Sequence, residues 1–197
     1  MAEMEIRLSG SGGQGILLAG RILGEALTMN GLKVAQSQSY EPTSRGGLSR
    51  SDLVVSDHAV DYPLVSVLDY LVVLDKIAAG ASDALLKSAT LVIVDRALEA
   101  SWRATRGQLL FLPIAESARR LGNIRSTNMF ALGALLALGD ICDQAGVFAA
   151  IARVAPSKLV ESAMEAVKEG YAIARSAPPP MAVARNGEIE RLPLVPV

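Results

Sequence analysis

The sequence predicts a single α/β domain: a mostly parallel sheet flanked by helices, a Rossmann-like variant, with a helical C-terminal part and an extended tail. Three observations carry that expectation. A short apolar run at residues 6–8 leads into Gly10-Ser11-Gly12-Gly13-Gln14-Gly15, and an apolar-periodic stretch follows at 16–27, which is the order strand, glycine turn, helix. The nearly all-apolar stretch 69–74 suits the centre of a parallel sheet, where both faces are covered. From Pro113 onward the chain becomes Ala-rich with helical periodicity.

The elements follow in order. Residues 5–9 form the first strand and 15–29 the first helix, closed by Asn30-Gly31, a pair suited to a helix C-cap. Residues 33–38 and 50–56 are the second and third strands. The stretch 63–67 reads as a short helical turn, 69–74 as the fourth strand, 76–87 as a helix, and 90–95 and 108–112 as further strands. Pro113 can open a helix at its first turn, so 114–121, 127–138, 145–154 and 156–175 are expected helical. In the last of these, Leu159, Val160, Ala163, Ala166, Val167 and Ala174 make a stripe that packs on the sheet.

Pro178-Pro179-Pro180 breaks that helix. Beyond it, 181–185 and 188–191 read as short strands joined by a two-residue turn at Asn186-Gly187, and 192–197 are apolar and punctuated by proline. The tail either adds to an edge of its own sheet or embraces a partner, and the apolar end favours the partner. The expected division is a domain over residues 1–175 and a Pro-rich subunit-contact arm over 176–197.

Composition narrows the function. Nineteen basic and 20 acidic residues leave a net charge of −1 with no concentrated basic face, so nucleic acid is not an expected partner. No apolar run reaches the ~20 residues of a membrane span, and no signal peptide is read, so a cytoplasmic location is expected. Cys142 stands alone, which excludes an intrachain disulfide and a four-cysteine cluster; it reads as a packing residue. His58 is the only histidine and falls in a turn, and zinc is not expected. Asp75 and Asp95 each end a strand, where capping the next turn is the common role.

Two segments carry chemistry. Gly10, Gly12 and Gly15 satisfy G-x-G-x-x-G, a turn whose free N–H groups point at an anion. A dinucleotide site would also need an acid closing the second strand, and 33–38 holds none; Glu41 lies beyond it. The loop therefore suits a phosphate-bearing ligand or a tightly packed turn better than NAD. The second segment is Tyr40-Glu41-Pro42-Thr43-Ser44-Arg45-Gly46-Gly47. Two hydroxyls and an arginine beside glycines suit an anionic group, or else form an ordinary turn with a solvated arginine. Both segments follow strands, so both are expected on one rim of the sheet.

Together the two segments resemble the gamma subunit of 2-oxoacid:ferredoxin oxidoreductases. That module is equivalent to an internal domain of pyruvate:ferredoxin oxidoreductase and is similar to a chain of indolepyruvate oxidoreductase. Leu71-Val72-Val73-Leu74-Asp75, Leu121-Gly122-Asn123, Asn128-Met129 and Leu132-Gly133-Ala134 agree with the same family, over residues 4–175. Where Ser162 stands the family pattern has an Asn.

The resemblance implies a subunit, inactive alone, of a complex that oxidatively decarboxylates a 2-oxoacid to an acyl-CoA. It implies that Gly10, Ser11, Gly12, Gly13, Gln14, Gly15, Thr43, Ser44, Arg45, Gly46 and Asn128 help to bind coenzyme A. Thiamine diphosphate, Mg2+ and 4Fe-4S clusters would sit on thiamine-binding, alpha-type and iron–sulfur partner subunits. Ferredoxin or a flavoprotein subunit would take the electrons. No catalytic or metal-binding residue is implied in this chain. The alternatives are a purely structural subunit of such a complex and a stand-alone dinucleotide-binding oxidoreductase. The absent acid, and the lack of a catalytic His or Tyr-Lys pair, speak against the second.

Overall fold

The computed structural model describes residues 3–41, 46–103, 106–183 and 189–191. The strands are β1 (Met4–Ser11), β2 (Lys33–Tyr40), β3 (Leu48–Ser56), β4 (Leu68–Val73), β5 (Leu86–Asp95), β6 (Gln108–Leu112), β7 (Met181–Val183) and β8 (Ile189–Arg191). The helices are α1 (Ile16–Met29), α2 (Ile114–Arg120), α3 (Thr127–Gly139), α4 (Gln144–Val154) and α5 (Val160–Arg175). All eight strands form one sheet in the order β2-β3-β1-β4-β5-β6-β7-β8.

The centre of the sheet is parallel, as expected: β1, β4, β5 and β6 pair in one direction. Its flanks are antiparallel. β3 runs against both β1 and β2 and lies between them, so the second and third strands form a hairpin beside β1. At the other edge β7 pairs antiparallel with β6, and β8 with β7. The described part of the tail thus extends the chain's own sheet. β7 and β8 pair from Met181↔Arg191 to Val183↔Ile189. Asn186 and Gly187 themselves, like 192–197, lie outside the described residues.

The two faces of the sheet differ. Against one face, Ile6, Leu8, Leu53, Val72, Ile93 and Leu110 join residues of all five helices in the main core. Against the other, Leu71, Val73, Val92, Val94, Leu109 and Phe111 form a smaller cluster covered by Ala78, Leu98, Trp102 and Val183. That cover contains no α-helix. The helix expected over 76–87 is instead two single 3-10 turns, Lys76–Ala78 and Asp83–Leu85, separated by Gly80 at φ 74°. A positive φ interrupts a right-handed helix. The β5 strand also begins early, because Thr90 accepts the Lys87 amide and donates to the Leu68 carbonyl across a register shift.

The helical turn expected at 63–67 is absent too. That segment is irregular, and its donors go elsewhere: the Glu5 carboxylate accepts the amides of Ser66 and Val67 and the Ser66 hydroxyl. The other helices and strands fall within a few residues of their expected bounds.

Helix α3 is apolar on every side, and its residues from Thr127 to Leu136 are buried. A helix of that kind belongs inside a protein. It reaches that depth because Gly133 abuts the Val167 carbonyl and the Tyr171 amide of α5, while Gly170 abuts the Phe130 backbone. A methyl group at either glycine would collide with backbone, which cannot rotate aside. Gly170→Ala is therefore expected to lower stability by about 1–3 kcal/mol. Gly24→Ala in α1, where an added carbon would meet only side chains at 3.5 Å and 3.6 Å, should raise stability by up to about 1 kcal/mol. Urea denaturation of both variants checks the contrast.

Candidate functional site

The carboxyl ends of β1, β4, β5 and β6 share one rim, and the glycine turn of β1 lies there. Gly13 (φ 93°) and Gly15 (φ 72°) both adopt left-handed backbone, and Gly15 caps the start of α1 without any side-chain cap. The amides of Gly13, Gly15, Ile16 and Leu17 have no partner among the described residues. They are the orphan donors of a helix head, and they carry its partial positive charge. Among the described residues nothing beyond its chain neighbours lies within 4 Å of where a Cβ would stand on Gly13, so the backbone is open to a ligand on that side.

Two side chains fix the turn from behind. Gln14 folds back over the end of β1: its Oε1 accepts the Ser11 amide at 2.8 Å, and its Nε2 donates to the Leu74 carbonyl at 3.3 Å. It fills the space a side chain at Gly10 would need. Asn128, in the first turn of α3 and 4 % exposed, donates from Nδ2 to the Gly15 carbonyl at 2.9 Å. A Cβ on Gly15 would stand 2.5 Å from that nitrogen. Gln14 and Asn128 therefore position the turn, and their amides face backbone.

The second glycine segment meets the first. Ser11 pairs with Leu48, and the Gly12 amide donates to the Gly47 carbonyl at 2.8 Å. Gly46 sits at φ 78°, and no described residue beyond its chain neighbours lies within 4 Å of where its Cβ would stand. The common rim expected from the sequence is present, though its cause is different. The connection from β2 reaches the rim through a hairpin, and β3 intervenes between β1 and β2. Thr43, Ser44 and Arg45 lie outside the described residues. At the start of β3 the Leu48 amide donates to the Glu41 carboxylate at 3.2 Å. A dinucleotide fold needs its ribose-binding acid on the strand next to the glycine turn, and here that neighbour is an antiparallel strand.

Sequence reading missed a polar cluster under this rim, on the helix-free face. Arg7 and Asp52 form a two-pronged pair with both N–O distances at 2.7 Å, and Arg7 also donates to the Ser82 hydroxyl at 3.0 Å. Arg50 donates to the Ala81 carbonyl at 3.1 Å. Burial first, and then the Arg7 charge, lower the Arg50 guanidinium from its ordinary value. The two arginines clamp the 3-10 crossover onto the sheet. Arg7 and Asp52 are 45 residues apart, and only the antiparallel insertion of β3 makes them neighbours.

The remaining candidates behave as capping and packing groups. Asp75 accepts the Ile77 amide at 3.1 Å; Asp95 accepts those of Ala97 at 2.9 Å and Ala115 at 2.6 Å. Burial pushes the Cys142 thiol up, and Asp143 adds to the effect, so the thiolate is disfavoured. His58 is exposed beside Asp57. Among the described residues no cluster of His, Cys, Asp and Glu could hold a metal ion, and no helix is long and apolar enough to cross a membrane.

Asn128→Ala would remove the side-chain donor to the Gly15 carbonyl and leave it the Ala19 amide alone, at a cost of about 0.5–1.5 kcal/mol. The amides of Gly15 and Ile16 should then exchange hydrogen faster than in the parent chain, while those in the centre of β4 should not. Hydrogen exchange resolved by residue is the measurement.

Comparison with known proteins gives one consistent answer. Residues 5–173 match the family model for pyruvate ferredoxin/flavodoxin oxidoreductase. The chain is 42% identical over 137 residues to the 2-oxoglutarate synthase subunit KorC of Archaeoglobus fulgidus, covering 69% of this chain and 71% of that one. It is 37% identical over 177 residues to the KorC subunit of Methanocaldococcus jannaschii, covering 87% and 94%. Among solved structures, the gamma subunit of a keto/oxoacid ferredoxin oxidoreductase from Geobacter sulfurreducens superposes with a TM-score of 0.80 at 34% identity, covering 90% of this chain and 99% of that one.

Proposed function

The chain belongs to the pyruvate ferredoxin/flavodoxin oxidoreductase family, and from that premise we propose that it is the gamma-type subunit of a 2-oxoacid:acceptor oxidoreductase that binds and positions coenzyme A. The observation that carries the proposal is the set of amides of Gly13, Gly15 and Ile16 at the head of α1, without a partner among the described residues and on the same rim as the Gly46-Gly47 turn. Backbone donors in left-handed turns make an anion-binding concavity, which suits a phosphate of the coenzyme. Arg45, from the adjoining connection, would add charge and a two-pronged donor.

In this reading thiamine diphosphate, Mg2+ and 4Fe-4S clusters belong to thiamine-binding, alpha-type and iron–sulfur partner subunits, which supply decarboxylation and pass electrons to ferredoxin or a flavoprotein. This chain's residues do something simpler. The glycine turn holds the coenzyme, Gln14 and Asn128 keep the turn in shape, and the thiol is presented where the acyl group becomes available. The contribution to rate is proximity and orientation, with no proton moved by this chain.

Arg45→Ala in the intact complex tests the ligand role. Losing a charge-assisted contact is worth about 1.5–3 kcal/mol, so the KM for coenzyme A should rise by about tenfold or more, with kcat little changed. An unchanged KM with a normal yield of complex would leave only the structural-subunit reading.

The tail is the second expected partner contact. Deleting 192–197 while keeping β7 and β8 should weaken association with the other subunits and leave the melting temperature of the free chain unchanged. Co-purification yield and a thermal melt measure the two halves of that statement.

A further inference from the structure

The two edges of the sheet are unlike each other. One ends in β8, three residues long. The other is β2, eight residues long, paired with β3 in unbroken register from Lys33↔Ser56 to Tyr40↔Ser49. Among the described residues its outer side has no strand partner. β2 also lacks the usual protections of an edge: it holds no proline and no bulge, and its one charge, Lys33, is at the start. At its far end Tyr40 is 69% exposed, the largest exposure among the big apolar side chains that stand out from the surface.

We infer that β2 docks against β2 of a second copy of this chain, antiparallel about a two-fold axis through Ser37, joining two sheets into one. This inference is independent of the ligand reading. What selects the copy, and the register, is self-complementarity. Centring the axis on Ser37 sets Lys33 opposite Glu41 of the other copy, Val34 opposite Tyr40, Ala35 opposite Ser39, Gln36 opposite Gln38 and Ser37 opposite itself. Opposite charges, apolar side chains, small side chains and amides each meet their own kind. Moving the axis to Gln36 or Gln38 sets Val34 against Gln38, or Tyr40 against Gln36, and separates Lys33 from Glu41. Among the described residues neither Lys33 nor Glu41 has an ion pair within its own chain.

Shape agrees with chemistry. Two depressions flank β2, of about 410 Å³ and about 250 Å³, and Val34 and Thr28 line both. Gly24, Val34 and Gln36 line the smaller one on the α1 side, and the alternation of a strand puts Tyr40 on that same face. The exposed Tyr40 ring is thus a projection, and the space around Val34 is a recess. The two-fold axis that pairs the charges also sets each ring against the other copy's recess, twice per dimer. An isologous interface requires such self-matching.

The test uses the full chain carrying Cys142→Ser, so that an introduced thiol is the only one. Ser37→Cys should cross-link to itself under mild oxidation with diamide. Ser39→Cys should not, because it faces Ala35; mixing Ser39→Cys with Ala35→Cys should restore cross-linking, as heterodimers only. By sedimentation velocity the parent chain should be a dimer. Tyr40→Arg, at an exposed position that leaves the fold intact, should raise the dimer dissociation constant at least tenfold with an unchanged melting temperature. A monomer at every concentration overturns the inference and returns the edge to a strand of another subunit. So does Ser39→Cys cross-linking as fast as Ser37→Cys, or a dimer indifferent to Tyr40→Arg.

Discussion

The backbone contact between α3 and α5 is the constraint from which the rest of the molecule follows. Gly133 and Gly170 remove the two side chains that would hold these helices apart. With that spacing α3 lies fully inside, between the sheet and its neighbours, and its first turn arrives beneath the glycine turn of β1. Asn128 then reaches the Gly15 carbonyl, and Gly15 keeps the left-handed backbone that aims the amides of α1 outward. Helix packing around Phe130 and Gly133 thereby sets the direction of the hydrogen-bond donors beside Asn128.

The unequal faces of the sheet have a related logic. All five helices gather on one face, so the other has only 3-10 turns and a small apolar cluster to cover it. A thin cover is held by few contacts, and here they include hydrogen bonds from charged donors: Arg7, itself paired with Asp52 on the sheet, donates to the Ser82 hydroxyl, and Arg50 donates to the Ala81 carbonyl. Replacing one partner of such a buried pair strands the other without solvent, which is costly. The crossover from β4 to β5 is fixed by charge where a helix would have been fixed by area.

Much of this was legible in the sequence. The central strands announce themselves as short apolar runs, and α1 and α3 as long periodic or wholly apolar stretches between clear breaks. Asp75 and Asp95 cap, as strand-ending acids commonly do. The failures share a cause. Residues 76–87 carry apolar residues at helical spacing, but Gly80 and the short span to β5 decide against a helix, and local pattern does not weigh them. The Arg7–Asp52 pair and the hairpin insertion of β3 depend on which strand lies beside which, and a one-dimensional pattern does not contain that. Gln14 and Asn128 were legible as polar residues in the right places. Their partners were not, because both bind carbonyls and amides, which every residue has.

The hydrogen bond from Asn128 to Gly15 spans 113 residues of chain. During synthesis β1, the glycine turn and α1 emerge first, yet the side chain that holds the turn emerges only after the sheet is nearly complete. Contacts so distant in sequence form late, because the intervening chain must be ordered before they close. The glycine turn is therefore among the last features to become rigid in the nascent protein. A chain interrupted between α1 and α3 has the glycines and the helix but lacks the Asn128 hydrogen bond to Gly15. The geometry of the rim is thus settled by a part of the chain made well after the rim itself.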